Sequence, residues 1–177
     1  MVASVDDIRE LREQTSCGVI ECKKALEEAK GDLKKAKEIL QKRGLEIAAK
    51  KGSRAAQEGR VEAYIHMGNK IGVLVEVNCE TDFVAKNDDF AKFAKDVAMH
   101  IAAMSPEYIR REDVPENVLA EQKDKETFYK EKCLMEQPFV KNPKNTIQDC
   151  LNELIAKIGE NILISRFNRF KVGQHQN

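Results

Sequence analysis

One segment of the sequence places an aromatic ring beside a carboxylate, between a predicted strand and a predicted helix. It covers residues 78–87 and reads NCETDFVAKN. Phe83 could be exposed there as a wedge that inserts into a partner, while the carboxylate of Asp82 fixes its register. The alternative is a hydrophobic staple, in which Phe83 folds back onto the helix that follows. The residue types alone are compatible with both interpretations.

The cysteines and histidines give little indication of catalysis or of metal binding. The five cysteines (Cys17, Cys22, Cys79, Cys133 and Cys150) form no CxxC pair, and none lies at zinc-ligand spacing from a histidine. We expect free thiols that fill the core, and neither a structural metal nor a cofactor. The alternative is an enzyme that uses Cys79 as a nucleophile, which would require an accessible thiolate.

Motifs of common enzyme classes are missing from the sequence. It has no G-x-x-x-x-G-K-[ST], no G-x-G-x-x-G and no G-x-S-x-G. Tyr and Phe together number 10 of 177 residues, Trp is absent, and no aromatic-basic interleaving predicts a platform for stacking bases. The residues therefore favour a binding protein over an enzyme.

Charge and hydropathy exclude several further classes. The chain carries 30 basic and 30 acidic residues. Residues 1–60 hold 14 basic and 11 acidic side chains, and residues 61–177 hold 16 basic and 19 acidic ones. Neither part has enough excess charge to coat a nucleic acid. No apolar run reaches the roughly 18 residues that span a bilayer. The first seven residues lack the basic start of a signal peptide. We expect no stable nucleic acid, no membrane, and a cytoplasmic location, or an organelle matrix after loss of a transit peptide.

Three short helices are predicted in residues 1–44. Ser4 caps the first helix, Gly31 closes the second, and Asp32 caps the third, which is predicted to end near Gly44. Each helix is too short to be stable alone in water, so the three must pack on one another. This three-helix N-terminal domain resembles ubiquitin-associated domains.

Residues 45–60 are predicted to be a linker. The stretch is rich in Ala, Lys and Gly, and residues 42–60 hold six basic side chains against two acidic ones. A solvated tether is the simpler interpretation. A basic strip that contacts RNA or an acidic partner is the alternative.

The sequence pattern changes to a period of two after Arg60. Val61, Ala63 and Ile65 alternate with polar residues, which predicts a half-buried strand. A Gly-Asn-Lys turn at 68–70 then leads into the apolar, β-branched run at 71–77, which predicts a more central strand.

Two amphipathic helices and a third strand complete the second predicted domain. Asp88 and Asp89 open one helix, and the other covers 147–158. The charged stretch 112–136 predicts an exposed helix or helical hairpin. Residues 161–172 return to β character and are expected to join the hairpin. The fold class is therefore α+β, with residues 61–177 forming a core of helices and a small antiparallel sheet of about three strands.

Four segments resemble the bacterial and organellar elongation factor Ts family. The signature of that family is similar to residues 76–87, EVNCETDFVAKN, and a second family motif is similar to residues 15–26, TSCGVIECKKAL. Two shorter stretches also agree, QPFV at 137–140 and IAKIGENI at 155–162. The four matches follow the family order and cover both predicted domains.

The chain departs from the family pattern in two respects. Cys17 replaces a smaller residue, and Ile20-Glu21 replaces a commoner Met-Asp, which affects the expected contacts of the N-terminal domain. The chain also has room for one core unit only, where long members carry two and an inserted coiled coil. It resembles the short members, in which two chains pair, so the resemblance implies a homodimer and a two-plus-two complex.

The resemblance implies a function without covalent chemistry: guanine nucleotide exchange on the translation GTPase elongation factor Tu. By that resemblance Phe83 inserts into the nucleotide domain of the GTPase. Asp82 assists the displacement of Mg²⁺ from the GTPase, and Thr81 and Val84 shape the tip.

The resemblance also implies weaker partner contacts at Val19, Ile20 and Lys23. Core packing of the two apolar side chains and a solvated helix face for Lys23 are the alternatives. His66 is a further candidate, because residues 64–68, YIHMG, resemble part of the second core half of long members. A rival hypothesis uses the three-helix domain as a non-catalytic docking module for another protein.

Overall fold

The computed structural model describes residues 4–15 and 17–174, so Ser16 and His175 lie outside the described residues. The chain divides into two compact units. The first comprises the described part of Met1–Arg54 together with Asn152–Asn161, and the second comprises Ala55–Leu151 with the described part of Ile162–Asn177. Helices and small antiparallel sheets make up the described structure, which confirms the α+β class. None of the described helices is long and apolar enough to cross a membrane.

The first unit contains the three predicted helices, α1 (Val5–Thr15), α2 (Val19–Glu28) and α3 (Leu33–Lys51). The predicted caps are present: Asp7 N donates to Ser4 Oγ at 3.0 Å, and Lys35 N donates to Asp32 Oδ1 at 3.1 Å. Small and branched apolar side chains fill the core between the helices. They are Leu11, Cys22, Ala25, Leu26, Ala29, Ala36 and Leu40.

Helix α3 continues to Lys51, so the predicted end near Gly44 is wrong. Gly44 is buried, and a Cβ added there would lie 3.4 Å from the Cβ of Ala156. The glycine therefore permits a close approach within the first unit and does not stop the helix. Residues 45–51 of the predicted linker therefore belong to α3, and residues 58–60 already belong to a strand.

The second unit is built on a three-stranded antiparallel sheet. Its strands are β1 (Glu58–Ile65), β2 (Ile71–Cys79) and β5 (Leu163–Lys171), in the order β1-β2-β5. The predicted central position of β2 and the predicted third strand are both confirmed. The single-turn helix α4 (Asp82–Ala85) and the long helix α5 (Asp88–Met104) follow β2.

The rest of the second unit was only partly predicted. The charged stretch contains two short helices, α6 (Glu116–Ala120) and α7 (Lys125–Lys132). A two-stranded sheet of β3 (Pro138–Phe139) and β4 (Asn142–Thr146) follows, which the sequence pattern did not indicate, because β3 has only two residues and β4 has no alternating apolar residues. Helix α8 spans Ile147–Ile158 as predicted, and its residues from Asn152 onward are grouped with the first unit.

Strand β1 alternates as predicted, but its apolar side chains are exposed. Val61 and Ile65 are each 63% exposed, whereas Glu62 and Tyr64 are half-buried. The inner face of β1 is therefore polar, and there Arg60 Nη2 lies 2.8 Å from Glu62 Oε2. A period of two fixes which residues share a face, but it does not fix which face the helices cover.

The buried side chain of His100 connects α5 to the segment around β3. The amide of Gln137 donates to Glu131 O at 2.6 Å, so its Oε1, 3.0 Å from His100 Nε2, is the acceptor. Val140 N donates to His100 Nδ1 at 3.2 Å. The network therefore requires the neutral imidazole with its hydrogen on Nε2. Burial lowers the pKa of His100 below the ordinary value of 6.5.

We expect this histidine to make the fold sensitive to mild acid. In the unfolded chain His100 gains a proton as the pH falls through about 6.5, while the folded chain resists protonation, so acid favours unfolding. The free energy of unfolding should fall by up to about 1.4 kcal/mol per pH unit below that value from this group. His100→Gln should flatten the slope between pH 7 and 5 in urea titrations. Equal slopes for both proteins would contradict the assignment.

Candidate functional site

A single helical turn projects the predicted wedge from the end of the central strand. This tip, residues 81–86, begins at Thr81, whose extended backbone (φ −130°, ψ 153°) breaks from β2. The hydroxyl of Thr81 accepts from Val84 N at 3.4 Å and so caps α4. Asn87 then ends the tip, because its Oδ1 accepts from Asp89 N at 2.8 Å and caps α5. Two caps six residues apart thus confine the tip to one turn.

Phe83 is 82% exposed at this tip. The hydrophobic staple, in which its ring would pack against α5, is therefore wrong. Phe90 fills the buried position at the start of α5 instead, with no exposed surface. An exposed ring on a capped turn gains nothing for folding. It is available for contact with another molecule.

Asp82 lies beside Phe83 and is held as an anion. Lys86 Nζ lies 2.8 Å from Asp82 Oδ2, one helical turn further along the chain. The hydrogen bond and the charge of Lys86 lower the pKa of Asp82, and the same contacts raise the pKa of Lys86. The tip therefore presents an aromatic ring with an ionised carboxylate next to it.

Two residues beneath the tip brace it against the sheet. The buried thiol of Cys79 donates to Thr81 O at 3.1 Å. The amide of Asn78 donates to Glu58 O on β1 at 3.2 Å and to Glu76 Oε1 at 3.1 Å, and its oxygen accepts from Ser165 Oγ on β5. Asn78 thus links all three strands one residue before Cys79. The motif that signals the tip in the sequence also encodes its support.

The position of Cys79 argues against a catalytic thiol. Its side chain is fully buried and donates to a carbonyl, whereas a nucleophile needs an accessible thiolate. We expect native-state labelling with iodoacetamide to modify the half-buried Cys17 and Cys150 first, and Cys79 only after unfolding. Peptide mass spectrometry over a time course measures this order. Labelling of Cys79 before the other two would restore the catalytic alternative.

The weaker predicted contacts divide between the two units. In the first unit Val19 and Ile20 are 52% and 68% exposed, so core packing does not explain either side chain. Lys23 is exposed on the same helix, and its Nζ lies 3.9 Å from Glu27 Oε1. In the second unit His66 is exposed at the end of the β1-β2 hairpin, and Tyr64 Oη lies 3.2 Å from His66 Nδ1.

The side of the main sheet that faces away from α5 was not recognised in the sequence as a surface. We name it the outer sheet face. Its exposed apolar side chains include Val61, Ile65, Leu74 and Phe170, and an ion pair between Arg166 Nε and Glu76 Oε2 at 2.6 Å lies at one end. Exposed apolar residues that share one sheet face typify an interaction surface.

The described part of the chain contains no cluster of side chains that could bind a metal ion. Among residues 4–15 and 17–174, no three His, Cys, Asp or Glu side chains are grouped so that they could hold an ion. Asp82 of the tip and Glu126 of α7 lie instead beside Lys86 and Arg111.

Comparison with known proteins agrees with the signature motifs. The family described as elongation factor TS matches residues 2–127 and 124–174. Elongation factor Ts of Carboxydothermus hydrogenoformans is 54% identical over 94% of this chain and 88% of the relative. The proteins of the same name from Acetivibrio thermocellus (52% identical) and Geobacter sulfurreducens (51% identical) each align over 98% of this chain and 91% of their own length.

The agreement is therefore not confined to the tip. It extends through the helical unit, the sheet and the C-terminal strand, and the relatives are named as elongation factors, which places them in protein biosynthesis. Because the match covers nearly the whole chain at more than half identity, the chain belongs to the elongation factor Ts family.

Proposed function

We propose that the chain is a guanine nucleotide exchange factor for elongation factor Tu and acts in the cytoplasm. The observation that carries the proposal is the 82% exposed ring of Phe83, set beside an ionised Asp82 on a capped and braced turn. Such a tip has an apolar group for insertion and a charged group for a cation. Neither group serves the folding of this chain.

Exchange by this route requires no acid, base or nucleophile. The factor binds the nucleotide-free GTPase more tightly than the GDP complex, and by reciprocity each ligand weakens the binding of the other. A shift of 10⁴-fold requires about 5.5 kcal/mol of differential binding. Burying one phenylalanine side chain supplies about 1.5–3 kcal/mol. The ring of Phe83 therefore needs help from other contacts.

We assign the steps at the tip as follows. Phe83 inserts between helices of the nucleotide domain of the GTPase. Asp82 arrives with it and draws the Mg²⁺ of the GTPase away from the nucleotide, which weakens the binding of GDP. Thr81 and Val84 hold the shape of the turn.

The remaining binding free energy comes from surfaces outside the tip. In the helical unit, Val19 and Ile20 offer exposed apolar area, and Lys23 offers a positive charge at the same helix. In the second unit, His66 at the hairpin end is the further contact. These side chains are exposed, which supports the assignment, since each is available to a partner.

The outer sheet face supports a homodimer and a two-plus-two complex with the GTPase. An isologous interface needs one surface that complements itself when rotated by a two-fold axis. A sheet face with exposed Val61, Leu74 and Phe170 on three adjacent strands offers apolar area for such an interface. The pairing would remove exposed apolar area from both chains.

The direct test is the release of fluorescently labelled GDP from elongation factor Tu on addition of the wild-type chain. We expect the chain to accelerate the release of labelled GDP clearly when excess unlabelled GDP is present. No acceleration would overturn the exchange function. A pulldown in which the chain misses the GTPase and enriches another protein would favour the docking-module alternative.

A further inference from the structure

Lys86 is the last residue of the tip. Its backbone caps the C-terminus of α4, and its ammonium lies 2.8 Å from Asp82 Oδ2. The four-residue spacing with the acidic residue first is the favourable orientation for an ion pair on a helix. Lys86 therefore belongs to the same rigid turn that presents Phe83.

The ion pair is too exposed to matter for folding. The side chains of Lys86 and Asp82 are 75% and 52% exposed, and solvent screens a pair of this kind. After Asp82, the charge of Glu58 on β1 also contributes to the raised pKa of Lys86. The hydrogen bond of the ammonium is made to Asp82 Oδ2. Asp82 is the carboxylate next to the exposed ring of Phe83.

Contact with a partner changes the strength of this pair. When the tip is buried, water leaves and the attraction between the two charges increases, because the local dielectric constant falls. A carboxylate buried without its cation would carry a large desolvation penalty. Lys86 lies on the same helical turn as Asp82, so a partner that buries the carboxylate would bury it together with its cation.

We propose that Lys86 is a positioning residue, which holds the Asp82 carboxylate in one orientation beside Phe83 and balances its charge while the tip enters the GTPase. The proposal rests on the exchange function proposed above. Lys86 acts through Asp82 and needs no contact of its own with nucleotide or Mg²⁺.

The test is a double-mutant cycle on the maximal rate of labelled GDP release, using the full chain. Lys86→Met removes the charge and keeps most of the stem, and Lys86→Arg keeps the charge. We expect Lys86→Met to lower the rate roughly three- to tenfold, because the pair strengthens once water is excluded. Lys86→Arg should restore most of the loss. In an Asp82→Asn background, Lys86→Met should have almost no further effect.

Glu58→Gln is the matched control, because it removes a carboxylate whose charge also acts on Lys86 and leaves the pair with Asp82 intact. Its rate should equal that of the wild type, and thermal unfolding should be unchanged for all variants. Additive losses at positions 82 and 86 would overturn the proposal, since Lys86 would then act independently of Asp82. So would an unchanged or faster rate for Lys86→Met. Failure of the wild type itself to release GDP would instead overturn the exchange function.

Discussion

Phe83→Ala should reduce the acceleration of GDP release by about 10- to 150-fold. The estimate follows from the free energy of burying one phenylalanine side chain, about 1.5–3 kcal/mol. The ring is 82% exposed in the free chain, so its removal should leave the melting temperature unchanged. Stopped-flow measurement of labelled GDP release from elongation factor Tu, over a range of factor concentrations, gives the maximal rate and the apparent affinity separately.

Two further variants separate insertion from general loss of apolar surface. Phe83→Leu keeps an apolar side chain of similar reach and should retain part of the activity. Val140→Ala removes an exposed apolar side chain elsewhere in the same unit and should have no effect. Wild-type rates for Phe83→Ala would refute the wedge role and leave the exchange function standing.

Leu74→Glu should convert the proposed homodimer to monomers. Leu74 lies on the central strand and is 47% exposed on the outer sheet face, so the folded monomer can tolerate a charge there. In a two-fold interface the new carboxylate appears in both chains. A buried charge without a partner costs about 3–5 kcal/mol, which corresponds to a loss of dimer affinity of roughly 10²- to 10³-fold or more. Light scattering during size exclusion measures the change in mass.

Lys95→Glu provides the control for this substitution. It introduces the same carboxylate at an exposed position of α5, away from the outer sheet face, and should leave the mass unchanged. If the wild type is already monomeric at micromolar concentration, the dimer proposal fails. If the Leu74→Glu variant is folded and still dimeric, the chains pair through another surface.

The sequence predicted the location of the tip better than its conformation. Local chemistry decides where α4 and α5 begin, because Thr81 and Asn87 are capping residues whose effect reaches only a few positions. The exposure of Phe83 depends on whether another side chain already fills the core at that point. Phe90 is fully buried at the start of α5, and the residue types alone do not tell which of the two rings takes the buried position. Only the resemblance to a family favoured the wedge over the staple.

Two differences between the sequence predictions and the structure have the same physical origin. The exposure of Val61 on β1 and the continuation of α3 through Gly44 are both decided by tertiary neighbours. A helix layer covers the opposite face of the sheet in the first case, and Ala156 approaches the helix in the second. Periodicity and propensity describe one segment at a time, so they identify the elements but not the surfaces that meet.

The hydrogen bonds of Asn78 have a mechanical consequence. A force on the ring of Phe83 passes through Thr81 and the Cys79 contact into the central strand, and Asn78 distributes it to both neighbouring strands. The tip is therefore held rigidly at its base. A rigid tip loses little conformational entropy on insertion, and it transmits displacement to the molecule that it enters while changing little in conformation itself.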